Sequence, residues 1–187
     1  MSATVNEVVE AEGLAEAIEL VVVPFGNSYF PAVTGNLSYS RGPGMAGWLQ
    51  ACGMGRPDPP EECFAGELFC QHGPNECVGN IIEACAMHYY PSPAQHWPFI
   101  HCYEQSAEAE DATTAGRPSR DDPGAPWRTL RRCAREALVN EEVVRECAEE
   151  PSAGLGARLQ AQHARATAAL VPPHGKHARQ SQQSKPS

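Results

Sequence analysis

The clearest pattern of hydrophobic positions starts near residue 77 and has the period of a helix. Apolar side chains recur three or four positions apart, which places them on one helical face. These side chains are Val78, Ile81, Ile82, Cys85 and Tyr89. The Gly73-Pro74 pair indicates a turn immediately before them. We therefore expect a helix over residues 77–90, with Cys70 on the preceding loop and Cys77 near the helix start.

The N-terminal residues predict a helix followed by a short strand. Residues 4–18 alternate valine, leucine and isoleucine with glutamate at helical spacing. Residues 20–23 are a continuous apolar run that stops at Pro24. Such a run is typical of a strand buried on both faces of a helix-covered sheet. A helix followed by a buried strand is half of a βαβ unit.

The second half of the chain predicts further helices separated by proline-rich breaks. After Pro91 and Pro93, a helix is expected to start near Trp97, with Pro98 in its first turn. Helical spacing returns over residues 130–138, and Asn140 is a suitable N-cap for a short helix that ends near residue 147. Residues 154–170 predict a last helix.

Three segments predict loop or disorder. Residues 28–69 are rich in glycine and proline and are expected to form a loop insertion. Within it, Cys52 and Cys63 could pair and close a short loop, and Asn36 begins an N-glycosylation sequon. Residues 106–126 offer little to bury and predict a linker, and residues 175–187 predict a disordered tail.

Charge and hydropathy narrow the classes of partner. The 187 residues suit one domain, and their formal charge is −9. Residues 151–187 carry five basic side chains and no acid, so their charge is +5 and that of the rest is −14. An acidic body argues against nucleic acid as the main partner. The absence of a long apolar run argues against a membrane span.

The cysteines favour an oxidising compartment. Their number is even, which is typical of a disulfide framework. They are Cys52, Cys63, Cys70, Cys77, Cys85, Cys102, Cys133 and Cys147. The sequence leaves most of the pairing open, because eight cysteines allow many connectivities. The first residues have neither a basic nor an apolar stretch, so we expect no signal peptide in this sequence.

The residues from Cys70 to Cys85 resemble the signature of the gamma-interferon-inducible lysosomal thiol reductase (GILT) family, Cys-Gln-His-Gly-x-x-Glu-Cys-x-x-Asn-x-x-x-x-Cys. The matching positions are Cys70, Gln71, His72, Gly73, Glu76, Cys77, Asn80 and Cys85. The resemblance extends to the Val-Pro-Phe-Gly-Asn turn at residues 23–27, to residues 99–104 and to residues 133–174. It implies a thioredoxin-like α/β fold with a disulfide-rich helical insertion, here mostly helical and incomplete, as a partial domain over residues 1–174.

The resemblance also implies a thiol oxidoreductase that reduces disulfides in protein substrates and is lysosomal or extracellular. Family members carry a catalytic Cys-x-x-Cys and a cis-proline strand after a Pro-Pro-His sequence. No two cysteines here are three positions apart, and a polar tail follows His174. We therefore expect this chain to be inactive, with no catalytic residue, cofactor or metal ligand.

Two alternatives stay open at this point. The first is a non-catalytic, disulfide-stapled binding protein or truncated isoform. The second is a structural zinc module that would use residues from the signature helix and its loop. Its ligands would come from Cys70, His72, Cys77, Cys85 and His88. Zinc modules usually pair ligands two to four residues apart, and these spacings do not fit that pattern.

Overall fold

The computed structural model describes residues 22–25, 28–31, 44–53, 56, 58–113, 122–149 and 154–170, with the backbone alone for 107–113 and 170. The helices of this part follow one another along the chain. They are α1 (Gly44–Cys52), a 3-10 helix (Glu61–Phe64), α2 (Pro74–Tyr89), α3 (Pro93–Thr113), α4 (Ala125–Glu136), α5 (Glu141–Ala148) and α6 (Leu155–Leu170). None of these helices is long and apolar enough to cross a membrane.

Helix α2 lies at the centre and packs against α3, α4, α5 and α6. Its inward face is a run of small and branched apolar side chains, among them Ile81, Ile82 and Ala86. They form one hydrophobic cluster with Phe99 of α3 and Leu130 of α4. Burying a branched apolar or aromatic side chain is worth about 1.5–3 kcal/mol, so the cluster around α2 makes a large contribution to stability.

A second, aromatic cluster lies beside the first. Phe25, Trp48 and Phe64 are buried there, and the Trp48 indole N–H donates to the Cys63 carbonyl at 2.8 Å. Helix α6 joins the two clusters, because Leu159 packs in the first and Ala164 in the second. This arrangement fixes the segment around Phe25 next to the signature helix.

The predicted helices of the second half are confirmed with small changes at their ends. Helix α2 starts at Pro74, three residues before the predicted start, because proline suits the first turn. Tyr89 does not belong to the buried face, since it is 43% exposed. Helix α3 starts at Pro93, so Pro98 lies inside it and not in its first turn. Asn140 caps α5 as predicted, and its side chain accepts from two backbone N–H groups.

The loop prediction for residues 28–69 is wrong over residues 44–52 and 61–64, which are helical. The buried face of α1 contains Trp48, Leu49 and Cys52. Together with Met45, these residues have the i, i+3, i+4, i+7 spacing of a helix face. This helical spacing covers only two turns, and the glycines of the segment favoured a loop prediction instead.

The linker prediction for residues 106–126 is wrong at both ends. Helix α3 continues to Thr113, and α4 begins at Ala125. Ser106, Ala125 and Pro126 are buried, so the segment does contribute to the packed interior. Alanine and glutamate are good helix formers, which explains why α3 extends so far. Residues 114–121 lie outside the described part.

The predicted strand over residues 20–23 is not found at its two described positions. Val22 and Val23 have no strand assignment. The Phe25 N–H donates to the Val23 carbonyl at 2.8 Å, so the backbone turns at Pro24, where the apolar run was expected to stop. In the described ranges the β-type pairing is a single antiparallel bridge between Tyr29 and Phe69. The mostly helical, disulfide-rich part of the fold prediction is confirmed, and its thioredoxin-like α/β part stays a prediction.

Several predicted features lie outside the described residues. They are the helix over 4–18, Asn36, the Pro-Pro-His sequence at 172–174 and the tail 175–187. The division of the chain into a domain over 1–174 and a tail therefore stays a prediction.

Candidate functional site

All eight cysteines lie in the described part, and all are paired. The bridges are Cys52–Cys63, Cys70–Cys77, Cys85–Cys147 and Cys102–Cys133. The first is the pair that the sequence suggested. The second closes the signature loop on α2, and the third joins α2 to α5. Two of the three signature cysteines are thus bound to each other, and Cys85 is bound to a partner outside the signature.

The signature loop is built to start helix α2. Gly73 has a positive φ of 103°, a conformation that favours glycine, and its N–H donates to the Cys70 carbonyl at 3.3 Å. Pro74 follows in the first helical turn. The Glu76 carboxylate reaches back and accepts from the His72 backbone N–H at 2.6 Å. These signature residues therefore have a structural role at the helix start.

The segment after Phe25 makes a hydrogen bond to the Cys70–Cys77 bridge. The buried Ser28 hydroxyl lies 3.0 Å from Cys70 Sγ. Since a disulfide sulfur carries no hydrogen, Ser28 is the donor. The Asn80 side-chain amide donates to Ser28 Oγ at 3.2 Å and to the Phe25 carbonyl at 3.4 Å. The signature asparagine thus connects α2 to this buried segment.

Helix α6 holds the same segment from the other side. The Gln160 amide donates to the Pro24 carbonyl at 3.4 Å, and His163 also hydrogen-bonds to that carbonyl. Burial lowers the pKa of His163, and the hydrogen bond to Pro24 opposes this change. His163 therefore stays neutral over a wider pH range than a free histidine.

The Cys102–Cys133 bridge has a different environment. Glu136 Oε2 lies 3.4 Å from Cys102 Sγ. Ser106 Oγ is 3.8 Å from Cys133 Sγ, but its hydroxyl donates to the Cys102 carbonyl at 2.6 Å. The Arg132 guanidinium also donates to Ser106 Oγ. This serine therefore has no proton left for the disulfide sulfur.

Glu83 is a buried carboxyl group within the signature helix. Its side chain faces Glu104 of α3, and its Oε1 atom is buried with no hydrogen-bond partner. Burial raises the pKa of Glu83 well above its ordinary value, and the charge and hydrogen bond of Glu104 add to this. The group is neutral under conditions in which exposed glutamates are ionised.

The disulfides limit the chemistry of the signature cysteines in the oxidised chain. A half-cystine has no thiolate, so the oxidised chain offers neither a sulfur nucleophile nor a sulfur ligand for zinc. Zinc binding by the signature cysteines would therefore require reduction of their bridges first. Among the described residues, no cluster of histidine, cysteine and acidic side chains has the geometry of a metal site.

A cavity of about 200 Å³ lies between the 3-10 helix and α6. Its walls are mostly apolar and include Phe64, Leu68, Ile81 and Ala161, with Gln160 among them. None of the eight signature residues lines it. The cavity and the signature are therefore separate features of the fold.

Comparison with known proteins assigns the signature region to a family. Residues 49–118 match the family model described as "Gamma interferon inducible lysosomal thiol reductase (GILT)". Over these residues, which include the whole signature, the chain is similar to this family. A GILT-like relative is the "Gamma-interferon-responsive lysosomal thiol protein" of Arabidopsis thaliana, which is 39% identical over 41 residues. That alignment covers 22% of this chain and 18% of the relative. No solved structure matches the chain.

The GILT signature was recognisable in the sequence, but its surroundings were not. Sequence reasoning placed Cys70, Cys77 and Asn80 correctly relative to the helix. It missed Ser28, because a lone serine 42 residues before Cys70 carries no signal of contact. It also missed Glu83, which occupies the position between Ile82 and Ala84 on the buried face.

Proposed function

We propose that this chain is a disulfide-bonded helical scaffold of the GILT family and does not itself reduce protein disulfides. One observation carries the proposal: all eight cysteines are paired, and no two are three positions apart. Reduction of a substrate disulfide needs an attacking thiolate and a second thiol that resolves the mixed disulfide. The family's thiol reductase chemistry has no such pair in this chain.

The contacts of the signature residues support a scaffold role. Glu76 bonds to the loop before α2, and Asn80 bonds to the segment after Pro24. The Cys85–Cys147 bridge closes a loop with a sequence separation of 62. Closing a loop of that size stabilises a protein by about 4 kcal/mol in the chain-entropy account. These hydrogen bonds and this disulfide stabilise the helical fold, and they do so without a catalytic cysteine pair.

The disulfides also support a location in the secretory pathway, lysosomal or extracellular. Four bridges in a chain of this size persist in an oxidising compartment and are rare in the cytosol. The glycosylation of Asn36 is a proposal that depends on this location.

A reductase assay tests the proposal directly. The purified chain is mixed with a fluorescence-quenched, disulfide-linked peptide and a dithiol at acidic and at neutral pH. We expect no turnover above that of the free dithiol alone. The Cys77→Ser variant is the matched control. Turnover well above background that this variant abolishes would show that the signature is an active site.

A further inference from the structure

We infer that Cys70–Cys77 is an exchangeable disulfide, which a small or protein dithiol opens by attack on Cys77 Sγ while Ser28 holds the departing Cys70 sulfur. This property goes beyond the proposed scaffold role, because the chain then accepts electrons at one defined bridge. It is a single reduction of the chain itself and not turnover of a substrate.

The four bridges differ in how far solvent reaches them. Both cysteines are buried in two of the bridges, which are Cys52–Cys63 and Cys85–Cys147. In each of the other two, one cysteine is only partly buried, Cys77 in one and Cys102 in the other. A thiolate from solution must approach a disulfide sulfur, so these two bridges are the candidates.

The environment of Cys102 disfavours attack there. The Glu136 carboxylate lies 3.4 Å from Cys102 Sγ and repels an incoming thiolate. Cys77 also has a neighbouring carboxylate, that of Glu76, but this group already has partners. Glu76 Oε2 accepts from the His72 backbone N–H at 2.6 Å and lies 3.5 Å from the His72 ring nitrogen Nδ1. That carboxylate is engaged with the loop.

The leaving sulfur decides between the two bridges. Ser28 donates to Cys70 Sγ, and its oxygen accepts from Asn80, which leaves the hydroxyl proton for the sulfur. A hydrogen bond to the charged form lowers the pKa of a thiol, and a thiol of lower pKa leaves faster. Ser106, the corresponding hydroxyl near Cys133, gives its proton to the Cys102 carbonyl.

The reaction consumes one dithiol and balances as follows. Its thiolate forms a bond to Cys77 Sγ while the S–S bond breaks, and the electron pair leaves on Cys70 Sγ, which then takes a proton from solvent. The second thiol of the reagent then attacks the reagent sulfur that is bonded to Cys77. This step closes the reagent's own disulfide and releases Cys77 as a thiol. The chain gains two electrons and two protons, and the reagent becomes a disulfide.

The test is the order in which the bridges open in the intact, oxidised chain. The folded protein is exposed to limiting dithiothreitol, quenched with one alkylating reagent, then fully reduced and labelled with a second. Peptide mass spectrometry gives the opening rate of each bridge. We expect Cys70 and Cys77 to be labelled first and together.

Two serine variants separate the role of Ser28 from general stability. Ser28→Ala should slow the opening of Cys70–Cys77 by about tenfold, the effect of losing one net hydrogen bond of ordinary strength. Ser106→Ala should leave that rate unchanged. Earlier opening of another bridge in the unmutated chain would overturn the inference, as would an unchanged rate in a folded Ser28→Ala protein.

Loss of folding in the Ser28→Ala variant would be recognised because all four bridges would open faster together. In that case the inference is tested by the order of opening in the unmutated chain and by the opening rate of Cys70–Cys77 in the Asn80→Ala variant. The latter should also slow the opening of Cys70–Cys77, since it removes the donor that orients the Ser28 hydroxyl. A reductase assay without turnover would not contradict this inference, so the two proposals fail separately.

Discussion

Replacing Glu83 by glutamine should stabilise the protein at neutral pH. Glu83 is 4% exposed, and its pKa is raised by burial first and by Glu104 second. The ordinary value is 4.5. Above that pH the unfolded chain gives up the proton that the folded protein retains. The stabilising contribution of neutral Glu83 is therefore complete below pH 4.5 and is lost as the pH rises through the folded pKa.

The glutamine variant keeps the shape of the side chain and cannot ionise. Its amide can still donate to Glu104, so the interhelical contact between α2 and α3 survives. We expect a gain of about 1–3 kcal/mol in unfolding free energy at neutral pH, because the folded protein must then keep a proton on Glu83 or bury its charge, and glutamine requires neither. A tenfold difference in proton affinity between the folded and unfolded chain corresponds to about 1.4 kcal/mol, which sets the scale of the pH dependence.

The assay is urea unfolding with the disulfides intact at a series of pH values from acidic to neutral. The difference between the two proteins isolates Glu83, because His163 and the other titrating groups contribute equally to both. That difference should be near zero below pH 4.5 and should grow with pH until the pH passes the pKa of Glu83 in the folded protein. Glu104→Gln, at the exposed partner, removes a charge that raises the pKa of Glu83, so the difference should stop growing at a lower pH and at a smaller value. Parallel stability profiles for Glu83→Gln and the unmutated chain would refute the reasoning.

Three further substitutions test the packing and the helix ends by urea unfolding. Gly156→Ala should cost about 1–3 kcal/mol despite its better helix propensity, because a Cβ there would lie 2.7 Å from Ile81 Cγ2 and 2.8 Å from the Cys147 carbonyl oxygen. Asn140→Ala should cost about 1 kcal/mol through loss of the α5 cap, and an unchanged stability would contradict that capping role. Leu138→Gly should stabilise by about 1 kcal/mol, since Leu138 is 89% exposed and has a φ of 57°. A loss of stability there would mean that the leucine side chain makes a contact that offsets its backbone strain.

Sequence periodicity was a good guide to the helices that pack around α2. Ile81 and Ile82 face the core because each helix must bury one apolar face, and this requirement is visible in the spacing alone. The Asn140 cap was equally visible, because capping depends on residues two or three positions away. Local rules therefore predicted local structure.

The features that define the site depend on contacts between distant parts of the chain. Ser28 meets Cys70 only after the segment following Pro24 is fixed beside α2, and Gln160 of α6 contributes to that placement. The connectivity of the cysteines is decided in the same way, since Cys85 pairs with Cys147 through the packing of α2 on α5. No spacing rule contains this information.

The most direct test of the scaffold account is a disulfide map of the oxidised chain. The protein is alkylated without reduction, digested and analysed by mass spectrometry for cross-linked peptides. The account predicts that Cys70 is linked to Cys77 and Cys85 to Cys147, with no alkylated cysteine. A free thiol at Cys70 or Cys77 in protein purified without reductant would contradict it, because these two signature cysteines would then not be bound to each other.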